Sequence, residues 1–130
     1  MNRYSIPGES AGRAAEERRI DEIAKSFIIT TTQSVIGRGI AAYLGVVSET
    51  VVLGQGMKNA WSLEFADAAG KVSNSFEQKV VEAKSELFRR MSHSLYHAGG
   101  DAIVGLSIDV EMSNTNAIIV TGTGTMVKLS

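Results

Sequence analysis

Two histidines, His93 and His97, are the residues whose type and spacing most directly suggest chemistry. Side chains four residues apart lie on one face of a helix, so both imidazoles could reach a single zinc or copper ion. They lie away from the apolar stripe of the same segment, and we expect them to be accessible. A third ligand would have to come from Asp101 or from a neighbouring subunit, because the chain has no cysteine and no other histidine. The alternative is an ordinary solvated or interface surface.

A second candidate site contains Gly54 and Gly56, followed by Lys58. These residues come after a predicted strand and open a predicted helix, where backbone N–H groups could face an anion. Asn59 stands where a third glycine would be needed, and no βαβ unit follows, so a plain strand-to-helix turn is the alternative. With Arg38, these residues form a predicted small-molecule or nucleotide site between subunits.

No constellation of catalytic residues is visible. Asp109 and Glu111 are two residues apart and would share a strand face, but alternation alone predicts polar residues there. The segment around Ser107 lacks the second glycine of a nucleophile elbow. We therefore predict no catalytic residues and a non-enzymatic protein.

Length and composition indicate one globular domain. The chain has 130 residues, 44% of them hydrophobic, which fits a single core. A net charge of −1 argues against a nucleic-acid binder that depends on neutralising phosphates. No apolar run approaches the roughly 20 residues of a membrane-spanning helix, so we expect no membrane insertion. A domain without disulfides is most simply cytoplasmic.

The N-terminal segment is predicted to hold a short amphipathic helix from about residue 10 to residue 25. Its apolar residues fall at spacings of three and four, which places them on one face. They are Ile20, Ile23, Ala24 and Phe27. Charged residues of both signs surround this stripe. The helix either docks a partner or is a solvated helix resting on its own domain.

Two stretches rich in β-branched and apolar residues then predict strands. Residues 27–32 form the first, and residues 37–52 form a long strand or a bent pair. The long strand is apolar on both faces, so we expect a helix to cover one face and another subunit to cover the other. Gly39 and Gly45 within it suggest bulges or a close backbone approach.

The C-terminal part is predicted to be two helices followed by a hairpin. The helices span residues 57–69 and about 75–98, and the second ends at Gly99-Gly100. Its apolar stripe consists of Val80, Leu87, Phe88, Met91, Leu95 and Ala98, interrupted by the stem of Lys84. Val104, Leu106, Ile108, Val110 and Met112 then alternate with polar residues or glycine on one strand, and residues 117–129 return as its partner. This order predicts an α+β fold in which an antiparallel sheet packs against the long helix.

Six short motifs, taken in order, resemble one family. They are Thr30-Thr31-Thr32, Ile36-Gly37-Arg38, Tyr43-Leu44-Gly45-Val46-Val47, Gly54 before a helix, Gly99-Gly100-Asp101-Ala102-Ile103-Val104-Gly105, and Gly122-Thr123-Gly124-Thr125-Met126-Val127-Lys128-Leu129. The chain is similar to the YbjQ-like family, bacterial proteins of unestablished function that often carry the label "putative heavy-metal-binding". The resemblance runs from Phe27 to Leu129.

The resemblance implies a ring-shaped homopentamer built from residues 27–130, with residues 1–26 as an N-terminal extension. The corresponding long helix of the family leans acidic, so a site at His93 and His97 would be particular to this chain. The leading hypothesis is a non-enzymatic homo-oligomeric scaffold or binding protein. The alternatives are binding of a heavy metal, with a divalent transition metal as cofactor, and binding of a small molecule between subunits.

Overall fold

The computed structural model describes residues 9–54 and 76–130. Two helices and four strands follow each other along the chain: α1 Glu9–Ala24, β1 Ile28–Ile29, β2 Ile40–Leu53, α2 Phe76–Ala98, β3 Ala102–Met112 and β4 Ile118–Leu129. The predicted helix at residues 57–69 lies outside the described residues. No helix in the described part of the chain is long and apolar enough to cross a membrane.

The four strands form one sheet in the order β1-β3-β4-β2. The pairs β3–β4 and β2–β4 are antiparallel, whereas β1 runs parallel to β3. The α+β prediction is confirmed, but the prediction of a purely antiparallel sheet is wrong. A long connection, containing β2 and α2, separates β1 from β3, and this length lets the chain re-enter the sheet in the same direction.

Strand β1 is much shorter than the predicted strand at residues 27–32. The Thr30 hydroxyl lies 2.8 Å from the Thr32 hydroxyl and accepts a hydrogen bond from the Thr32 N–H. Such local side-chain bonds compete with a regular ladder. The segment still contacts β3, because Leu106 N–H donates to Thr30 O and Gly105 N–H to Thr32 O. The β-branched run therefore continues beside β3 as an irregular edge.

Helix α2 ends as the sequence predicts. Gly99 adopts a left-handed conformation, with φ of 79°. Its N–H donates to Tyr96 O at 3.0 Å, and Gly100 N–H donates to Leu95 O at 3.1 Å. This pair of bonds is the Schellman closure, which satisfies carbonyls that the helix would otherwise leave free.

Strand β2 is one continuous strand of 14 residues with an irregularity near its start. The register with β4 shifts between Tyr43 and Gly45, where Gly45 has φ of 116°. The predicted bulge at Gly45 is confirmed. Beyond it, Val47 and Val51 belong to the core cluster beneath α2, while Val46 and Val52 are exposed.

A bulge at Gly105 changes which residues of β3 share a face. Gly105 has φ of 63°, and the register with β4 shifts between Val104 and Ser107. Ile103 and Leu106 consequently lie in the core under α2, whereas Val104 joins a second, smaller cluster. The prediction that Val104 and Leu106 share one face is therefore wrong, because the extra residue interrupts the two-residue period.

The main core lies between α2 and the sheet. It contains Val47, Val51, Ala83, Leu87, Met91, Leu95, Ile103, Leu106, Ile118 and Val120. The predicted stripe of α2 is confirmed in its central residues, with Val80 and Phe88 packed at the margin. The second cluster contains Ala102, Val104, Val127 and Leu129, and Ile28, Val35 and Ile40 pack against it.

Gly100 lies where the end of α2 packs closely against the sheet. A Cβ atom there would lie 2.5 Å from Leu95 Cδ1 and 2.9 Å from the backbone oxygen of Val127. Because the carbonyl cannot easily move, Gly100→Ala should lower the free energy of unfolding by about 1–3 kcal/mol, measured by urea denaturation. The control is Gly12→Ala in α1, where nothing lies within 4 Å and no loss is expected. Equal effects of the two substitutions would contradict this packing.

Candidate functional site

The two histidines of α2 lie in different environments. His93 has only 16% of its side chain exposed, and its Nε2 lies 2.7 Å from Oδ1 of Asp21 in α1. His97 is exposed, and its ring meets Tyr96 edge to face at 5.3 Å between centroids. The expected accessibility therefore holds for His97, whereas His93 is half-buried beside a carboxylate of the N-terminal segment.

Asp101, the predicted third ligand, makes a different contact. Its Oδ1 accepts a hydrogen bond from Leu129 N–H at 2.8 Å, and its backbone oxygen accepts one from Ile28 N–H at 3.2 Å. Asp101 thus fastens β1 to the end of β4. Within residues 9–54 and 76–130, no three His, Cys, Asp or Glu side chains converge closely enough to hold a metal ion.

An ionic network surrounds the Asp21–His93 contact. Arg89 Nη2 lies 2.9 Å from Glu17, its Nε lies 3.9 Å from Asp21, and its Nη1 lies 3.6 Å from Glu86. Arg89, Glu17 and Asp21 are 39–50% exposed, so each pair contributes only about 0–1 kcal/mol. These ion pairs therefore add little to the stability of the contact between α1 and α2, and their main effect is on the orientation of α1.

Ile20 is the apolar anchor of α1. It is 2% exposed, while Ile23, predicted to lie on the same buried stripe, is 37% exposed. Among residues 11–24, Ile20 alone is buried, and α1 packs mainly against α2. Of the predicted stripe, Ile20 is buried, Ala24 and Phe27 are partly buried and Ile23 is exposed, so the helix rests on its own domain through a narrow contact, as the second sequence-based alternative describes.

Arg19, the residue before Ile20, also contacts α2, through Tyr96. Its Nη2 donates to the Tyr96 hydroxyl at 2.9 Å, and its guanidinium lies 5.5 Å from the centre of the Tyr96 ring. The pKa of Arg19 is raised above its ordinary value by its hydrogen bond to Glu16 and then by Tyr96. The hydrogen bonds to Glu16 and Tyr96 therefore hold the guanidinium over the Tyr96 ring.

The flank of α2 between α1 and β2 carries a polar strip, formed by Glu86, Arg90, His93 and His97. Helical spacing places these four residues on one side of α2. Arg90 Nε lies 3.0 Å from Glu86, and Arg90 Nη1 donates to the backbone oxygen of Thr50 at 3.0 Å. The strip thus lies along a seam between the N-terminal segment and the sheet.

The predicted small-molecule residues lie far apart within one chain. Arg38 precedes β2 and donates from Nε to the backbone oxygen of Ser130 at 3.2 Å. Gly54 follows the last residue of β2, and a strand of 14 residues spans about 45 Å. Gly56 and Lys58 lie outside the described residues. A site that uses both Arg38 and Gly54 stays a prediction that needs a second subunit.

Strand β2 is an edge strand with apolar side chains on its surface. It stands at one end of the sheet order, so β4 is its single strand partner in the described part of the chain. Tyr43, Val46 and Val52 on β2 are 72%, 70% and 54% exposed. Ile36, in the turn before β2, is 99% exposed. In the single chain, one face of this strand therefore lies under α2 and the other is exposed, and the covering of the exposed face by another subunit stays a prediction.

Ile20 and Ile23 offer a matched pair of substitutions in α1. Ile20→Ala should loosen α1, because it removes the one buried apolar contact of residues 11–24. Hydrogen exchange of the α1 amides should then be faster, by about tenfold or more. Ile23→Ala, the same change at a more exposed position, should leave the exchange nearly unaltered. Equal exchange in the two variants would show that Ile20 is not the anchor.

Comparison with known proteins places most of the chain in one group. A family model described as "Putative heavy-metal-binding" matches residues 27–130. UPF0145 proteins of Geobacillus thermodenitrificans and Anoxybacillus flavithermus are each 32% identical over 103 residues, which cover 79% of this chain and 99% and 98% of theirs. Helix α1 ends before the matched region begins.

A solved structure shares the fold. It is a protein of unknown function of the DUF74 family from Pediococcus pentosaceus, with a TM-score of 0.50 and 27% sequence identity. The match covers 80% of this chain and 98% of that one.

Proposed function

The chain belongs to the YbjQ_1 family, and we propose that it is a non-enzymatic, homo-oligomeric binding protein whose subunits associate through strand β2. The relatives carry only the name UPF0145, so membership of the family supplies a fold without an activity. The observation that supports the proposal best is the long, uncharged outer surface of β2.

Edge strands of monomeric proteins are usually short, or carry charges or proline that prevent pairing with other chains. Strand β2 has 14 residues and one charged residue, Glu49. Glu49 accepts a hydrogen bond from Ser94 of α2 and so lies on the covered side. Val46 and Val52 are exposed on the other side of the strand, which carries no charged residue and no proline. Apart from Thr50 O, which accepts a hydrogen bond from Arg90, the outer backbone groups of this edge could pair with a strand of a second copy. The side chains of that strand would lie beside the valines and reduce their exposure.

A ring, as the family resemblance implies, joins two different patches of each subunit. The β2 surface would be one patch. Phe76, Val110 and Met112 are the candidates for the other, with 47%, 39% and 52% of their surface exposed. They occupy the start of α2 and the end of β3, away from the β2 residues near the Gly45 bulge. Five copies joined in this way would form the proposed pentamer.

The proposal that the protein is not an enzyme rests on the contacts that its polar side chains make. In the described residues, no buried side-chain nitrogen or oxygen lacks a hydrogen-bond partner. The half-buried His93 is engaged with Asp21, and Asp101 with the backbone of Leu129. These contacts fix structural elements, so we assign the function to the surfaces of the assembly.

Light scattering of the purified chain at micromolar concentration tests the assembly. We expect Val46→Asp to shift the oligomer towards monomer, because pairing at β2 would bury the new carboxylate without a partner. The control is Val81→Asp, the same change at a valine of α2 that is 49% exposed. It should leave the mass unchanged. A wild-type monomer, or equal behaviour of the two variants, would contradict the proposal.

Binding of a divalent transition metal by His93 and His97 is the second candidate function. The family description favours it, and both residues belong to the polar strip. The Asp21 carboxylate against the His93 ring resembles the outer-shell contact that orients metal-binding histidines.

The metal candidate is tested by titrating the chain with zinc, copper and nickel ions. Wild-type protein should bind at least one of these ions, and the His93→Ala/His97→Ala variant should lose that binding. Equal binding by both proteins would show that the two histidines are not the metal ligands.

A further inference from the structure

We propose that Arg90 confines association through β2 to the part of the strand that precedes Thr50, where a second copy of the chain adds its own strand. The inference rests on the proposed function above. It adds the position of the partner strand and names the side chain that determines this position.

Alternate residues of β2 direct their backbone groups towards the free edge of the sheet. In an antiparallel pair, each residue points both its N–H and its C=O either at the partner strand or away from it. Thr50 O accepts a hydrogen bond from Arg90, and the Thr50 hydroxyl lies 3.1 Å from that of Thr121 on β4, as close as side chains come in a pair without backbone hydrogen bonds. Thr50 therefore points its backbone groups away from β4. The residues two and four positions away share this direction, because the register with β4 is regular there; they are Val46, Ser48 and Val52.

The guanidinium of Arg90 occupies the free edge at Thr50. Its Nη1 lies 3.0 Å from Thr50 O, which is about the distance at which the N–H of an added strand would donate to the same oxygen. An added strand would run about 4.8 Å from β2. Arg90 and a partner strand would therefore compete for this oxygen and for the space beside it.

Helix α2 holds Arg90 in this position. Arg90 Nε lies 3.0 Å from Glu86 Oε2, and the Glu86 side chain is only 12% exposed. A hydrogen bond between two charged groups is stronger than one between neutral groups. On the covered side of the strand, Glu49 accepts a hydrogen bond from Ser94 of α2. Two consecutive residues of β2 are thus bonded to α2, and a strand that extended past Thr50 would have to break the Arg90 contact.

The exposed apolar side chains of β2 lie mainly on the other side of this contact. Tyr43 and Val46 are 72% and 70% exposed. After Thr50, Val52 is exposed, and the strand ends at Leu53, three residues further on. The first part of β2 therefore combines free backbone groups with apolar surface, whereas the part after Thr50 is too short to hold a partner strand by itself.

The contact would also fix the register of the added strand. Register is weakly specified on a strand face that is not buried, so strands can slip past one another there. The exposed face of β2 carries hydroxyls and valines and no charge that would select one alignment. Because Arg90 blocks the edge at one oxygen, the added strand must end at that point.

The test is hydrogen exchange of single backbone amides of β2 in the assembled chain. Val46→Asp, expected to be monomeric, supplies the exchange rates of the unpaired edge. Pairing should slow exchange of the Ser48 amide in the wild type about tenfold or more relative to this reference. The Val52 amide should exchange at the same rate in both proteins.

Arg90→Ala should extend the slow exchange to the amide of Val52, because it frees Thr50 O for the added strand. The matched control is Arg89→Ala, which removes the same charge from the neighbouring position. Arg89 contacts Glu17 of α1 and makes no contact of this kind with β2. In this control, the amides of β2 should exchange as they do in the wild type.

The results distinguish a wrong position from a wrong interface. If the wild type forms oligomers in which Ser48 and Val52 are equally protected, association through β2 stands and the limit at Thr50 is wrong. If the Val52 amide stays fast in Arg90→Ala, Arg90 does not set the limit, and the inference is overturned. If the Ser48 amide is not slowed in the wild type, neither the association through β2 nor its limit holds.

Discussion

The close approach of α2 to the sheet is the constraint on which the rest of the structure depends. Leu87 and Met91 come so near to β4 that a Cβ atom on Gly122 would lie 2.9 Å from Met91 Sδ and 3.0 Å from Leu87 Cδ2. Gly100 allows the same proximity at the end of the helix. Since both contacts are close, α2 has little freedom to rotate or slide, and the directions of its remaining side chains are fixed.

Those directions divide α2 into surfaces with different roles. At 100° per residue, Arg89, His93 and Tyr96 lie on the side away from the core, and there they receive α1. The polar strip runs along the flank towards β2. The N-terminal helix thus adds a third layer behind a helix–sheet pair, and it does so through one buried residue and a set of weak ionic contacts.

Much of the fold could be predicted because local rules decide it. The glycine closure of α2 and the bulge at Gly45 follow from backbone conformations that other residues adopt only with strain. The prediction that Val104 and Leu106 share a face is wrong because a bulge one residue long reverses the alternation. Its signal in the sequence is Gly105, a glycine inside a strand pattern as at Gly45. The parallel pairing of β1 depends on contacts between distant segments, which periodicity does not encode.

The candidate site, like the fold, could be predicted from the sequence only in part. Helical spacing identified His93 and His97, but nothing in the mixed charges of α1 indicated which carboxylate contacts His93. Asp21 is 72 residues from His93, and nothing in its local sequence distinguishes it from Glu17 or Glu22. The packing of Ile20, together with the contacts of Arg89 and Arg19, sets the helix position that brings Asp21 to the imidazole.

Native mass spectrometry of the purified chain is the most direct test of the central claim, that this subunit associates through β2. The account predicts a single species with the mass of several chains, five if the family resemblance extends to the ring. That species should give way to single chains when Val46 is replaced by aspartate. A wild-type spectrum dominated by single chains at micromolar concentration would contradict it.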